Sequence, residues 1–174
     1  MDINLWERCV KFHGHECPGL AIGYRASLIA KDYLKLNFSE DEETVCITEN
    51  DACGVDAVQL ITGCTFGKGN LMFKNRGKMA FTFLNRENDK AIRLVLKNIP
   101  GNLTRKEKQT YILQEKAENV FKITEVNTPM PEKARMFTSI ECEKCAEKTS
   151  ENMIRLEDGK KLCLDCISNY SRIL

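Results

Sequence analysis

Two CxxC pairs near the C-terminus constrain the fold of this chain more than any other feature. Cys142 and Cys145 form the first pair, Cys163 and Cys166 form the second, and seventeen residues separate the pairs. This spacing matches a four-cysteine zinc ribbon, in which each tight turn presents two thiolates. Such a site has no open coordination position, so we expect a structural zinc that stabilises a module too small for its own core. A redox dithiol or a disulfide pair is the alternative.

A second group of metal-ligand side chains lies near the N-terminus. His13, His15 and Cys17 fall within five residues and include both histidines of the chain. Imidazole and thiolate are donors that zinc, iron and copper accept, so the sequence predicts zinc or another transition metal here. Pro18 suits the first position of a helix, which would place Cys17 at the N-cap, where the helix dipole lowers a thiol pKa. Cys17 is therefore also a candidate catalytic residue; a turn with a buried cysteine is the alternative.

Composition places the chain among globular proteins of a reducing compartment. It has 174 residues, of which 43% are hydrophobic, and no apolar run approaches the length of a membrane span. The N-terminal residues lack the layout of a signal peptide, so we expect a cytoplasmic protein without a membrane segment. Nine cysteines in that compartment favour metal or redox chemistry over structural disulfides.

Charge is unevenly distributed, although the net charge is only +1. Residues 1–67 carry 5 basic and 11 acidic side chains, and residues 68–122 carry 13 basic and 5 acidic ones. This asymmetry suits an anionic ligand or self-association between opposite faces, or simply solvated surfaces. Residues 139–174 carry 6 basic and 7 acidic side chains, which argues against nucleic-acid binding by the ribbon and favours a protein partner.

Hydrophobic periodicity predicts alternating helices and strands. Helices are expected over 2–12, from Pro18 to Leu36, over 55–61 and over 104–120, the last with a capping box. A strand is expected over 44–49, and an antiparallel meander is expected from the short turns between segments 71–74, 78–85 and 91–97. An extended linker and, at the end of the ribbon, a short helix over 167–174 complete the prediction.

Cys53 and Lys68 mark two further candidate positions. Cys53 lies at the junction of a predicted strand and helix, where α/β-type folds place their chemistry. Lys68 lies in a glycine-rich loop, residues 63–70, whose spacing rejects a Walker A loop. The loop amides and Lys68 could still meet an anionic group, which makes Lys68 a candidate catalytic residue; a tight turn is the alternative reading of the glycines.

Three motifs resemble the FmdE family, which takes its name from formylmethanofuran dehydrogenase. They are His-Gly-His-Glu-Cys-Pro-Gly over 13–19, Asp-Ala-Cys-Gly-Val-Asp-Ala over 51–57 and Gly-Cys-Thr-Phe-Gly-Lys-Gly-Asn over 63–70. The resemblance covers residues 1 to about 125, and the ribbon resembles a zinc-finger extension of some members. It implies an α+β core with helices packed on a mixed, largely antiparallel sheet, similar to the second domain of glyceraldehyde-3-phosphate dehydrogenase.

The resemblance also implies a ligand set and an assembly. The implied metal ligands are His15, Cys17, Cys53 and Cys64, with His13 as a ligand or a hydrogen-bond partner of one, and the implied assembly is an intertwined homodimer. The FmdE component is not recognised as carrying the tungsten or molybdenum cofactor of the dehydrogenase complex, so membership would not make this chain a dehydrogenase.

The expected organisation is a metal-binding core over 1–125, a linker over 126–138 and a zinc ribbon over 139–174. The expected function is an accessory or enzyme domain of one-carbon or redox metabolism, with a small anionic or one-carbon substrate. A protein- or nucleic-acid-binding ribbon module and a thiol redox protein are the alternatives.

Overall fold

A mixed five-stranded sheet forms the centre of the first of two units. The structure is a computed structural model that describes residues 2–168, and the chain divides into the units Met1–Ala134 and Arg135–Leu174. The first unit contains, in chain order, α1 (Ile3–His13), α2 (Pro18–Leu34), β1 (Thr44–Thr48), α3 (Gly54–Thr62), β2 (Leu71–Phe73), β3 (Ala80–Asn85), β4 (Lys90–Leu96), α4 (Arg105–Gln114), α5 (Ala117–Val120) and β5 (Phe121–Glu125).

The strand order is β2-β1-β3-β4-β5, and only the β1–β2 pairing within this sheet is parallel. The predicted α+β class with a mixed, largely antiparallel sheet is therefore confirmed. The predicted meander was wrong for β2, which pairs with β1 instead of β3. Parallel strands need a crossover connection, and α3 provides it between β1 and β2.

The main core lies between the helices and one face of the sheet. Leu20 and Tyr24 of α2 are completely buried with Phe83 of β3, and Trp6 of α1 meets Tyr24 edge to face at 5.3 Å between ring centroids. The small side chains on the early turns of α2 allow this close packing. The core thus holds α1 and α2 in fixed positions, which matters for the site at their junction.

A smaller apolar cluster lies apart from the main core. It contains Val45, Leu84 and Ala91, one from each of three neighbouring strands, and Val126 and Met130 pack against it. Part of the segment predicted as a linker therefore contacts the sheet within the first unit.

The predicted helix over 104–120 is divided in the structure. Its N-terminus has the expected capping box between Thr104 and Glu107. At Glu115 the backbone becomes extended, which ends α4, and α5 forms a single turn before β5 begins. Strand β5, which the sequence analysis missed, pairs antiparallel with β4 along five residues and completes the sheet.

The second unit consists of two short hairpins and a 3₁₀ turn. Its turn between the last two strands uses Asp158 and Gly159, both with positive φ (49° and 74°), as the predicted hairpin turn requires. The predicted closing helix over 167–174 lies mostly outside the described residues. The elements of this unit are β6 (Ser139–Glu141), β7 (Lys148–Ser150), the 3₁₀ turn (Glu151–Met153), β8 (Arg155–Glu157) and β9 (Lys160–Leu162).

Across residues 2–168 no helix has the length and apolar character needed to cross a membrane.

Candidate metal centre

Four of the predicted ligand side chains come together in the first unit. The donor atoms of His13, His15, Cys17 and Cys53 all lie within 4.8 Å of one another. His15 is exposed, whereas Cys17 is only 3% exposed, so the group lies at the edge of the core. This spacing suits a single transition-metal ion with two nitrogen and two sulfur ligands. We call these four residues the core metal group.

Helix ends deliver the donors of the core metal group. Helix α1 ends at His13, and Gly14 follows it with φ of 93°, a left-handed conformation that favours glycine and reverses the chain. Cys17 is the N-cap of α2, where its Sγ accepts a hydrogen bond from the Leu20 amide at 3.3 Å, as the Cys-Pro sequence predicts. Cys53 is the N-cap of α3. The three helix ends therefore converge on one point.

The close crossing of α2 and α3 brings Cys17 and Cys53 together. A Cβ placed on Gly23 would lie 1.9 Å from the carbonyl oxygen of Gly54, so the two backbones touch without room for a side chain. Near the helix N-termini, a Cβ on Gly19 would lie 3.2 Å from the Cβ of Cys53. The glycines of α2 and α3 thus act as spacers that set the distance between the two sulfur ligands.

Asp56 orients His13. Its carboxylate lies 2.7 Å from Nδ1 of His13, while Nε2 of His13 is buried and has no hydrogen-bond partner among the described residues. Donation from Nδ1–H to the carboxylate leaves the Nε2 lone pair available to an ion, an arrangement typical of metal-bound histidines. The sequence analysis assigned no role to Asp56, although its position in the first turn of α3, three residues after Cys53, could have indicated one.

The two sulfur ligands disfavour each other's ionisation. Burial raises the pKa of the Cys53 thiol, and the hydrogen bond and charge of neighbouring Cys17 raise it further. A divalent cation between them would remove that cost, because metal binding stabilises both thiolates. The orphaned Nε2 of His13 and this crowded pair of thiols both fit a bound metal ion.

Cys64 does not join the core metal group. Its thiol is buried and donates a hydrogen bond to the Thr44 carbonyl at 3.4 Å, and burial raises its pKa to about 11. The resemblance-based assignment placed it among the ligands; the fold instead packs it beneath β1. Neutral, buried thiols of this kind behave as small hydrophobic side chains.

Lys68 is held away from the core metal group. Its ammonium donates hydrogen bonds to the carbonyl oxygens of Ser39 at 2.6 Å and Glu40 at 3.3 Å, and it lies 5.6 Å from the ring centroid of Phe38. These contacts tie the glycine-rich loop to the segment before β1. The candidate catalytic lysine thus serves the loop structure.

An open cavity of about 420 Å³ adjoins the core metal group. His13 and Cys53 contribute to its wall, and the chain between β1 and α3 forms another part of it. The remaining lining residues are Thr48, Asn50, Asp51, Ala52, Val55, Asp56, Phe66, Leu71 and Phe73. A volume of this size is typical of small-molecule sites.

The four ribbon cysteines also converge. The sulfurs of Cys142, Cys145, Cys163 and Cys166 lie within 4.8 Å of one another. Backbone amides, first that of Cys145 and then those of Cys163 and Lys144, lower the pKa of the Cys142 thiol to about 6. The unit therefore holds a four-cysteine cluster resembling a zinc ribbon, with one sulfur favoured as a thiolate at neutral pH.

Comparison with known proteins gives three matches of different extent. The profile of the family described as FmdE, molybdenum formylmethanofuran dehydrogenase operon, matches residues 12–155. A probable S-adenosyl-L-methionine-binding protein of Archaeoglobus fulgidus is 30% identical over 201 residues, covering 96% of this chain and 53% of the relative. The chain thus spans about half the length of that curated relative.

A solved structure is similar over most of both chains. It is the crystal structure of an FmdE-like protein of the tungsten formylmethanofuran dehydrogenase type from Syntrophus aciditrophicus, with a TM-score of 0.66 and 26% sequence identity. The match covers 92% of this chain and 88% of that one.

Proposed function

This chain belongs to the FmdE family, and from that premise we propose that it is a metal-binding accessory or enzyme domain of one-carbon or redox metabolism. The core metal group binds zinc or another transition metal, and the ribbon cysteines bind a structural zinc. The observation that carries the proposal is the convergence of four donor atoms within 4.8 Å beside an open cavity.

The environment of the donors supports a resident metal ion. Asp56 holds one face of His13 and leaves the opposite nitrogen buried without a partner among the described residues. A zinc ion with two neutral histidines and two thiolates would carry no net charge, which suits a partly buried position. When bound, such an ion supplies Lewis acidity if one ligand can be displaced, and structure alone if none can.

Metal content of the full-length protein tests this function. We expect two equivalents per chain in the wild type and one equivalent in both Cys17→Ser and Cys53→Ser, measured by elemental analysis after dialysis. Cys145→Ser should also fall to one equivalent, through loss of the ribbon ion. Cys9→Ala, which alters a buried cysteine outside both groups, should keep two. A wild type with one equivalent that Cys145→Ser removes would refute the core site and favour thiol chemistry.

A protein-binding role of the ribbon is the second candidate. The observation that favours it is the exposure of Met136, Leu156 and Leu164 in the second unit, at 102%, 71% and 51%. Exposed apolar side chains on a small module are typical of docking surfaces. Substituting Leu156 and Leu164 by serine should abolish association with a protein partner while both metal equivalents remain.

The family resemblance also leads us to propose a homodimer. Sedimentation equilibrium of the full-length protein should give twice the chain mass of 19.9 kDa; a monomer at all concentrations would refute it.

A further inference from the structure

The walls of the cavity beside the core metal group fit a positively charged guest. Two carboxylates, Asp51 and Asp56, line it, and within residues 2–168 no lysine or arginine does. Lys68, which the sequence analysis expected to face an anion, is instead bound to Ser39. The electrostatic character of the cavity is therefore opposite to that expectation.

Asp51 is the carboxylate available to a guest. Asp56 is engaged by His13 at 2.7 Å, and Thr48 donates to a backbone carbonyl. Asn50 uses its side-chain amide to bind the Lys78 carbonyl. Asp51, in contrast, is exposed and forms no hydrogen bond or ion pair with any residue in the described range. A negative charge at the cavity wall thus lacks a protein partner there.

Aromatic and aliphatic side chains form the other wall. Phe66 is 76% exposed and Phe73 is 47% exposed, although both are large apolar residues, and Leu71 and Val55 continue the surface inward. Ring faces attract cations electrostatically, and apolar walls favour a cation whose charge is carried by methyl groups over a strongly hydrated ammonium. A carboxylate opposite aromatic rings is the arrangement that recognises methylated onium groups.

The metal site does not oppose such a guest. The sulfurs of Cys17 and Cys53, as thiolates, balance the charge of a divalent ion, and neutral histidines add none. With the core ion in place, Asp51 and Asp56 determine the sign of the charge in the cavity.

We propose that this cavity binds a small methylated onium cation, a quaternary ammonium or a sulfonium, with the cationic centre near Asp51 and its methyl groups against Phe66 and Phe73. The inference deepens the proposed function, because it assigns a ligand class to the cavity that adjoins the core metal group.

Three isosteric probes test the proposal on the full-length, metal-replete protein. They are choline, its dimethylsulfonium analogue, and the neutral alcohol in which a tert-butyl group replaces the trimethylammonium. Titration calorimetry at low salt should give at least about tenfold tighter binding of an onium than of the neutral alcohol, since charge attraction and cation–π contacts add. Comparing the two onium probes identifies which kind of centre the cavity prefers.

Exposed variants locate the binding. Asp51→Asn should weaken choline binding about fivefold or more, and Phe66→Ala and Phe73→Ala should each weaken it about two- to fivefold. Asp32→Asn and Phe12→Ala are the matched controls, because both residues are exposed and neither lines the cavity. Equal affinity for choline and the neutral alcohol, or an unchanged affinity in Asp51→Asn, would overturn the proposal.

Metal analysis of the same samples separates the two claims. Full occupancy of the core metal group without binding of either onium overturns the cation site and leaves the proposed function intact. Choline binding that depends on Asp51 in protein lacking the core ion supports the cation site and refutes the metal function.

Discussion

Replacing Gly23 by alanine should separate α2 from α3 and disrupt the core metal group. The added Cβ would lie 1.9 Å from the Gly54 carbonyl oxygen and 2.4 Å from its carbonyl carbon. Both obstructing atoms belong to the backbone of a helix, so no side chain can rotate away. One helix must therefore move by about 1 Å or more to reach an ordinary contact distance.

The size of the effect follows from two opposing contributions. Overpacking against a rigid backbone costs about 3 kcal/mol, and replacing glycine by alanine inside a helix returns about 1 kcal/mol. The net destabilisation of about 2 kcal/mol should lower Tm by about 6–10 °C for a unit of this size. Since Cys17 and Cys53 lie at the ends of the displaced helices, metal affinity should fall about tenfold or more.

Two measurements check this reasoning. Thermal unfolding followed by circular dichroism gives Tm, and retention of metal against a competing chelator gives the relative affinity. Gly101→Ala is the control, because a Cβ there meets no atom within 4 Å; its Tm and metal content should match the wild type. A Gly23→Ala protein with unchanged Tm and two metal equivalents would show that the helix crossing does not set the ligand spacing.

Three further substitutions test individual contacts. Asp56→Asn should lower core metal affinity about 10- to 100-fold in chelator competition, because His13 loses its charged acceptor. Cys64→Ser should retain two metal equivalents by elemental analysis, since its thiol contacts a backbone carbonyl. Glu49→Gln should reduce the free energy of unfolding at neutral pH, because the hydrogen bonds from Arg93 lower the pKa of the Glu49 carboxyl. That contribution is present above the ordinary carboxyl value of 4.5 and is lost as pH falls through the lowered native value, so the deficit in urea denaturation should vanish in acid.

Each of these has a contradicting result. An Asp56→Asn protein with wild-type affinity would remove the orienting role of the carboxylate. Loss of one equivalent in Cys64→Ser would make that cysteine a ligand after all. A Glu49→Gln deficit that persists at low pH would mean that packing, rather than charge, accounts for the stabilisation.

Local signals predicted the parts of the site that depend on short stretches of chain. The sequence around Pro18 was sufficient to place Cys17 at an N-cap, and the spacing of the second CxxC pair was sufficient to predict the ribbon cluster. In both cases the residues that determine the geometry are neighbours in sequence. Predictions of this kind need no knowledge of the tertiary structure.

Features that depend on tertiary contacts could not be predicted this way. Strand β2 pairs with β1 because α3 carries the chain across the sheet, and no local pattern states which strand will be the neighbour. The helical pattern after Thr104 hid β5, although Phe121–Glu125 alternates apolar and polar residues. Cys64 and Cys53 are alike in sequence context, and only burial beneath β1 separates the hydrophobic thiol from the ligand.

The spacing of the core ligands has a consequence for the unfolded protein. His13, His15 and Cys17 lie within five residues, whereas Cys53 is contributed by a distant helix. An unfolded chain therefore keeps a tridentate peptide that still binds the ion, and ligand binding stabilises a fold only to the extent that the unfolded state binds more weakly. Added zinc should raise Tm less than its native affinity implies, and the ion should stay with the chain after the first unit has unfolded.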